Sequence, residues 1–309
     1  LNALDASVSR VDLNSLDAPT PVTSISTAHP PLFLAMSADG AIACATSSTP
    51  HAVMFIDVAT KTALPVMSTS ATGESRPRGV AFNANGSRAL VANGGQTNTV
   101  SVIDVASRTE VRAFPVGNGG SGNNILNVYY SPDWSQVWVP NWADSVAVHD
   151  ATTYALIATI SVGGGLSPQS LVFSPDGATA YINCFQGAVY AVDVATRTVG
   201  ANVQLGVQLR RMVISPDGSR LYIASDRGRR IIVVDVTTMT VVGRITLEFD
   251  PNGVLLSADG AFLYVAGSGA GVLVKLRTSD WSVMSNSYIG GEQHQMVWRH
   301  DYSELWIAN

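Results

Sequence analysis

The pattern of apolar and polar positions is clearest between Val213 and Leu247, VISPDGSRLYIASDRGRRIIVVDVTTMTVVGRITL. Four short runs of β-branched and aromatic residues are separated there by turn signals, which predicts four strands. Met212–Ile214 and Leu221–Ala224 flank Ser215-Pro216-Asp217-Gly218 as the arms of a hairpin. Proline presets φ in that turn, aspartate bonds back to the local backbone, and glycine takes a left-handed site. The third run, Ile231–Val236, is continuously apolar, as a strand covered on both faces should be. Asp235 and the threonines after it favour another tight turn, and Val241–Leu247 closes a four-stranded antiparallel meander.

The first turn residue recurs at Ser37, Asn83, Ser131, Ser174, Ser215, Ser257 and Arg299, at spacings of 41 to 48 residues. A period of roughly 40 residues with four strands each is the mark of a propeller. One such sheet is apolar on both faces and needs a neighbour against each. The prediction is therefore an all-β, seven-bladed β-propeller of four-stranded blades, with residues 1–309 as one domain. Ser7–Leu13 matches the third-strand pattern, with Asp12 in the column of Asp57, Asp104, Asp150, Asp193 and Asp235. Val22–Thr27 reads as a fourth strand, while Leu305–Asn309 is only a second strand. The seventh blade should thus combine two inner strands from the C-terminal end with two outer strands from the N-terminal end. Blade six lacks the aspartate, with Leu276 read into its column, and blade seven is the most divergent. In blade three Trp134 stands where the turn usually has glycine.

The segments LYIAS (221–225), LVANGG (90–95) and LYVAG (263–267) each follow an SPDG-like turn and precede a TVSVIDV-like run. In this the chain resembles the YVTN-repeat family of seven-bladed β-propellers, over essentially its whole length. The asparagine of that signature is kept at Asn93, Asn141 and Asn309, and is replaced at Ser47, Cys184, Ser225 and Gly267. The resemblance implies the fold. Related propellers include surface proteins, ligand-binding proteins, lactonases, lyases and redox subunits, so it implies no single activity.

Composition narrows the classes. Hydrophobic residues make up 46% of the 309, charged residues 13%, and the net charge is −5, which disfavours a general phosphate-backbone binder. No apolar run reaches the roughly 18 residues of a membrane-spanning helix. The first residue is Leu1, so removal of a preceding segment is expected. Export to the periplasm or the extracellular space is what the family resemblance implies. Cys44 and Cys184 fall in different blades, too far apart for a disulfide, and read as buried thiols. A monomer is expected.

The loops that lead into each first strand share a face with those joining strands two and three, and that upper face surrounds the channel mouth. Five residues before each turn stand Leu32, Arg78, Leu126, Gln169, Arg210, Asn252 and His294. Four before stand Phe33, Gly79, Asn127, Ser170, Arg211, Gly253 and Gln295; seven before stand Arg76, Asn124, Asp250 and Glu292 among others. The candidate ligand-binding set is Arg76, Arg78, Asn124, Asn127, Gln169, Arg210, Arg211, Asn252 and His294. Arginines on opposite sides of a mouth suit an anion, since the guanidinium fork matches carboxylate or phosphate. The expected function is a non-enzymatic binding propeller for an anionic small molecule or a protein partner, without a cofactor.

The alternative is a lactonase- or lyase-type enzyme in which His294, Glu292 and Asp250 move a proton or hold a divalent metal. A third reading is a partner of a haem or quinone protein. No nucleophile-elbow spacing is present, and Gly117–Asn124 (GNGGSGNN) lacks the lysine and helix of a phosphate loop. Asp226–Arg230 (DRGRR) is a basic upper loop beside Arg210, and Trp142 and Phe185 are candidate contact residues in other upper loops.

Overall fold

A computed structural model describes residues 6–12, 20–49, 51–67, 75–95, 97–116, 124–142, 144–225, 227–267, 269, 271–290 and 294–309. They form seven four-stranded antiparallel sheets set in a ring. Blade five shows the plan: Leu209–Ile214 innermost, then Arg220–Ser225, Arg230–Asp235 and Thr240–Thr246 at the rim. Neighbouring blades touch mainly through their inner two strands. The sheets are therefore buried near the axis and exposed at the rim.

The repeated turn works as its residues dictate. In blade five Ser215 Oγ donates to Asp217 Oδ1 (2.5 Å) and accepts from Arg220 N (2.9 Å), while Asp217 Oδ1 accepts from Ser219 N (3.0 Å). Gly218 has φ 74°, and Trp134 holds the same left-handed site at φ 62°, as does Tyr302 at φ 57°. The aspartate column closes the next turn: Asp57, Asp104, Asp150, Asp193 and Asp235 each accept from the backbone and hydroxyl of a Ser or Thr three residues on. Strand register corrects one position. Phe262 pairs with Arg277 as Arg220 pairs with Asp235, so Arg277 rather than Leu276 stands in that column in blade six. Leu276 is fully buried instead, because a shift of one residue moves a side chain to the other face of the sheet.

Blade seven is built from both ends of the chain. Its order, from the rim inward, is Thr20–Ser26, Ser7–Asp12, Glu304–Ala308, Met296–Trp298. Val8 pairs with Ala308 and Asp12 with Glu304. The seam carries an ion pair, Arg10 Nη1 to Glu304 Oε1 at 2.8 Å, both side chains nearly buried. Asn309 Nδ2 adds a bond to Ser9 Oγ (2.5 Å). Cys44 and Cys184 are buried free thiols in blades one and four. Desolvation raises both, Cys184 to about 12.

Candidate functional site

At the upper end of the channel lies a cavity of about 240 Å³ lined by Leu32, Phe33, Arg78, Leu126, Asn127, Gln169, Ser170, Arg210, Arg211, Asn252 and His294. Every one of these stands four or five residues before a repeated turn. The ring counted five before is complete on the wall. The ring counted four before lacks only Gly79, Gly253 and Gln295.

Local backbone geometry turns these side chains toward the axis. At the start of the first strand in four blades the ladder slips. Pro77 pairs with Asn93 and the next pair is Val80 with Val91, so Arg78 and Gly79 bulge out. The corresponding slips free Gln169 after Pro168, Arg210 and Arg211 after Leu209, and Asn252 after Pro251. A bulge inserts residues without ladder partners and re-aims their side chains, and proline, lacking an N–H, is tolerated where a ladder begins. Sequence reasoning located these residues by counting. The signal that explains their aim was proline directly before Arg78, Gln169 and Asn252.

Several polar groups at the mouth tie blades together. Asn127 Nδ2 donates to Gln169 O (2.8 Å) and Gln169 Nε2 donates to Leu209 O, each reaching the next blade. Asn183 Nδ2 donates to Arg210 O, and Thr46 Oγ1 to Arg78 O (2.5 Å). Asn127 and Gln169, expected as ligand contacts, thus have their amide N–H groups in the framework. Gln295 likewise accepts from Leu34 N (3.3 Å).

Two arginines differ from this. Burial lowers the Arg211 guanidinium to about 10, with Arg210 adding to the fall and the Tyr129 phenol opposing it. Its Cζ lies 5.0 Å from the ring centroid of Phe33, so Arg211 of blade five reaches across the mouth to blade one. Burial, then the charge of Arg76, also lowers Arg78, whose Nε is buried without a hydrogen-bond partner. Among the described residues no carboxylate lies within 4.0 Å of either guanidinium. Gly94 makes room for this arrangement. A Cβ there would stand 2.6 Å from Asn124 Oδ1 and 3.1 Å from Arg78 Nε.

Other expected residues lie elsewhere. Arg76 is exposed and off the cavity wall, and Asn124 sits behind Gly94. Asp250 is off the wall too, and accepts from Arg229 N at 3.3 Å. Glu292 lies outside the described residues, as does Gly117–Asn124 apart from Asn124. Of the two described residues, His294 lines the cavity and Asp250 does not, and among the described residues no three His, Cys, Asp or Glu side chains cluster as a metal site. Trp142 and Phe185 are half-buried and stacked on each other (centroids 5.9 Å apart), which uses them between blades three and four. Arg227 and Arg229 are exposed on the upper loop of blade five; Asp226 lies outside the described residues.

A chain of Kuenenia stuttgartiensis hydrazine synthase superposes with a TM-score of 0.80 at 18% identity, over 92% of this chain and 94% of that one. The Cps50 (Swd1) β-propeller domain of Myceliophteria thermophila gives 0.74 at 12% identity, over 91% and 96%. The fold is a seven-bladed β-propeller. At such identities the likeness concerns the fold alone. No protein-family model and no curated protein sequence matches the chain. Among the described residues no helix is long and apolar enough to cross a membrane.

Proposed function

We propose that this chain is a non-enzymatic binding propeller, exported and of the YVTN-repeat kind its repeats resemble, whose upper channel mouth receives an anionic group from a small molecule or a protein partner. The supporting observation is the pair Arg78 and Arg211: two desolvated guanidinium groups in one cavity with no carboxylate beside either among the described residues. Removing a charge from water is costly unless a partner compensates it. Among the described residues neither arginine makes an ion pair that would repay its burial within the fold. An anion in the cavity supplies the missing charge to both.

The cavity lies below the roughly 300–1,000 Å³ of drug-sized ligand sites, which favours a small acid or one acidic side chain. The enzyme alternative would draw on His294 together with Asp250 and Glu292, or on a divalent metal held by them. Metal analysis of the purified protein tests that alternative, and a stoichiometric divalent ion would replace the present reading. The direct test is calorimetric titration with citrate and with phosphate, alongside melting curves. A ligand at a hundred times its dissociation constant stabilises the folded state by about 2.7 kcal/mol. The expected result is binding by wild type that Arg78→Gln and Arg211→Gln each weaken by about tenfold or more. Equal binding by both variants would end the proposal.

A further inference from the structure

We propose that the anion taken at the mouth is a small dicarboxylate, one carboxylate on Arg78 and the other on Arg211. This rests on the reading of the mouth as an anion site and adds the class of ligand. Three observations carry it. The first is a charge count. Arg78 and Arg211 lack a carboxylate partner among the described residues, so a ligand that neutralises this pair brings two negative charges.

The second is separation. Arg78 belongs to blade two and lies against Gly94, beside Asn124 at the start of blade three. Arg211 springs from blade five and lies over Phe33. Arg78 and Arg211 thus enter one cavity from first strands that lie three blades apart in the ring. They suit two acid groups held apart by a short linker.

The third is what stands between them. In the ring of side chains at the mouth, Arg78 is flanked by Leu32 and Leu126, while blades four and six contribute Gln169 and Asn252. Apolar positions on both sides of a cation favour methylene groups next to the bound carboxylate. A phosphate, with acceptor oxygens on every side, would leave some facing leucine. The cavity of about 240 Å³ restricts the linker to a few carbons.

The test is a calorimetric series of malonate, succinate, glutarate and adipate, with acetate, butyrate and inorganic phosphate as comparisons. A hydrogen-bonded charge pair is worth about tenfold or more in affinity. The expected result is one optimal chain length that binds at least about tenfold tighter than butyrate. Arg78→Gln and Arg211→Gln should each bring it down to the level of the monocarboxylate, and the double variant should lose the remaining charge pair as well, about another tenfold. Arg78→Lys and Arg211→Lys, which keep the charge, should retain a preference for two acid groups. Melting curves identify any variant that fails to fold, and the lysine pair then decides. Phosphate as the tightest ligand, or no dependence on chain length, would overturn the dicarboxylate and leave the anion site standing. Binding of every probe unaltered by all four variants would overturn both.

Discussion

His149 shows how one buried side chain sets a pH window. It is 2% exposed, packs 4.8 Å from Phe114 between ring centroids, and bonds through Nδ1 to Tyr154 O at 3.0 Å. Desolvation lowers its pKa, opposed by that bond. The folded protein therefore holds it neutral where the unfolded chain would already take up a proton. Its contribution to stability is complete above the ordinary histidine value near 6.5 and is lost as pH falls from there through the depressed folded value. The capped aspartates shift downward as well, but from 3.8, so their loss belongs to a more acidic window. Urea midpoints measured from pH 7.5 to 5 should fall for wild type and stay flatter for His149→Phe; parallel curves would count against this assignment. Arg78 gives the opposite kind of test. Replacing a desolvated charge that has no carboxylate partner among the described residues by Met should leave the ligand-free protein as stable or more stable, by about 1 kcal/mol. A marked loss in melting temperature would mean that Arg78 holds the fold together and is not kept for a ligand.

Among elements, the seam in blade seven and the bulges at the mouth matter most. Arg10 and Glu304 are 10% and 13% exposed in their side chains, and Glu304 also meets Arg299 at 3.4 Å and accepts from Trp306 Nε1 at 3.1 Å. Arg10→Met would leave that carboxylate buried with weaker compensation. A loss of about 3 kcal/mol is expected, read as a lower urea midpoint, because breaking one side of a buried pair strands the other charge. The seam was legible from the sequence, since Asp12 extends the aspartate column into the N-terminal segment while Leu305–Asn309 lacks outer strands. The mouth was legible by position too: counting back from Ser37 through Arg299 found every wall residue. What counting missed depends on tertiary packing. It could not show that Asn127 and Gln169 turn to the next blade, that Arg211 lies over Phe33, or that Asp250 faces Arg229 N. It also slipped by one residue at Leu276, where only pairing with Phe262 fixes the register.

For the molecule as a whole, the turns place charge unevenly. The lower face carries the turn carboxylates Asp39, Asp133, Asp176, Asp217, Asp259 and Asp301, all with lowered pKa from local hydrogen bonds. The wall of the upper mouth carries Arg78, Arg210 and Arg211, with Arg76 exposed close to Arg78. A net charge of −5 therefore conceals a positive opening at one end of the ring. Such a field steers a small anion to the mouth and is screened by salt over about 10 Å at 0.1 M. Stopped-flow association of an anionic probe should slow as ionic strength rises, while dissociation changes little. An association rate indifferent to salt would argue against a positive funnel.

The pairing of Ser7–Asp12 with Glu304–Ala308 also dictates an order of events during synthesis. Of the strands in the ring, Ser7–Asp12 is made before any other and its neighbour Glu304–Ala308 last, almost three hundred residues later. Until then its outward hairpin offers an unpaired strand edge and the buried faces of Val8 and Val11 to whatever is nearby. A chaperone that shields that hairpin during translation would be guarding the one join that every other blade depends on.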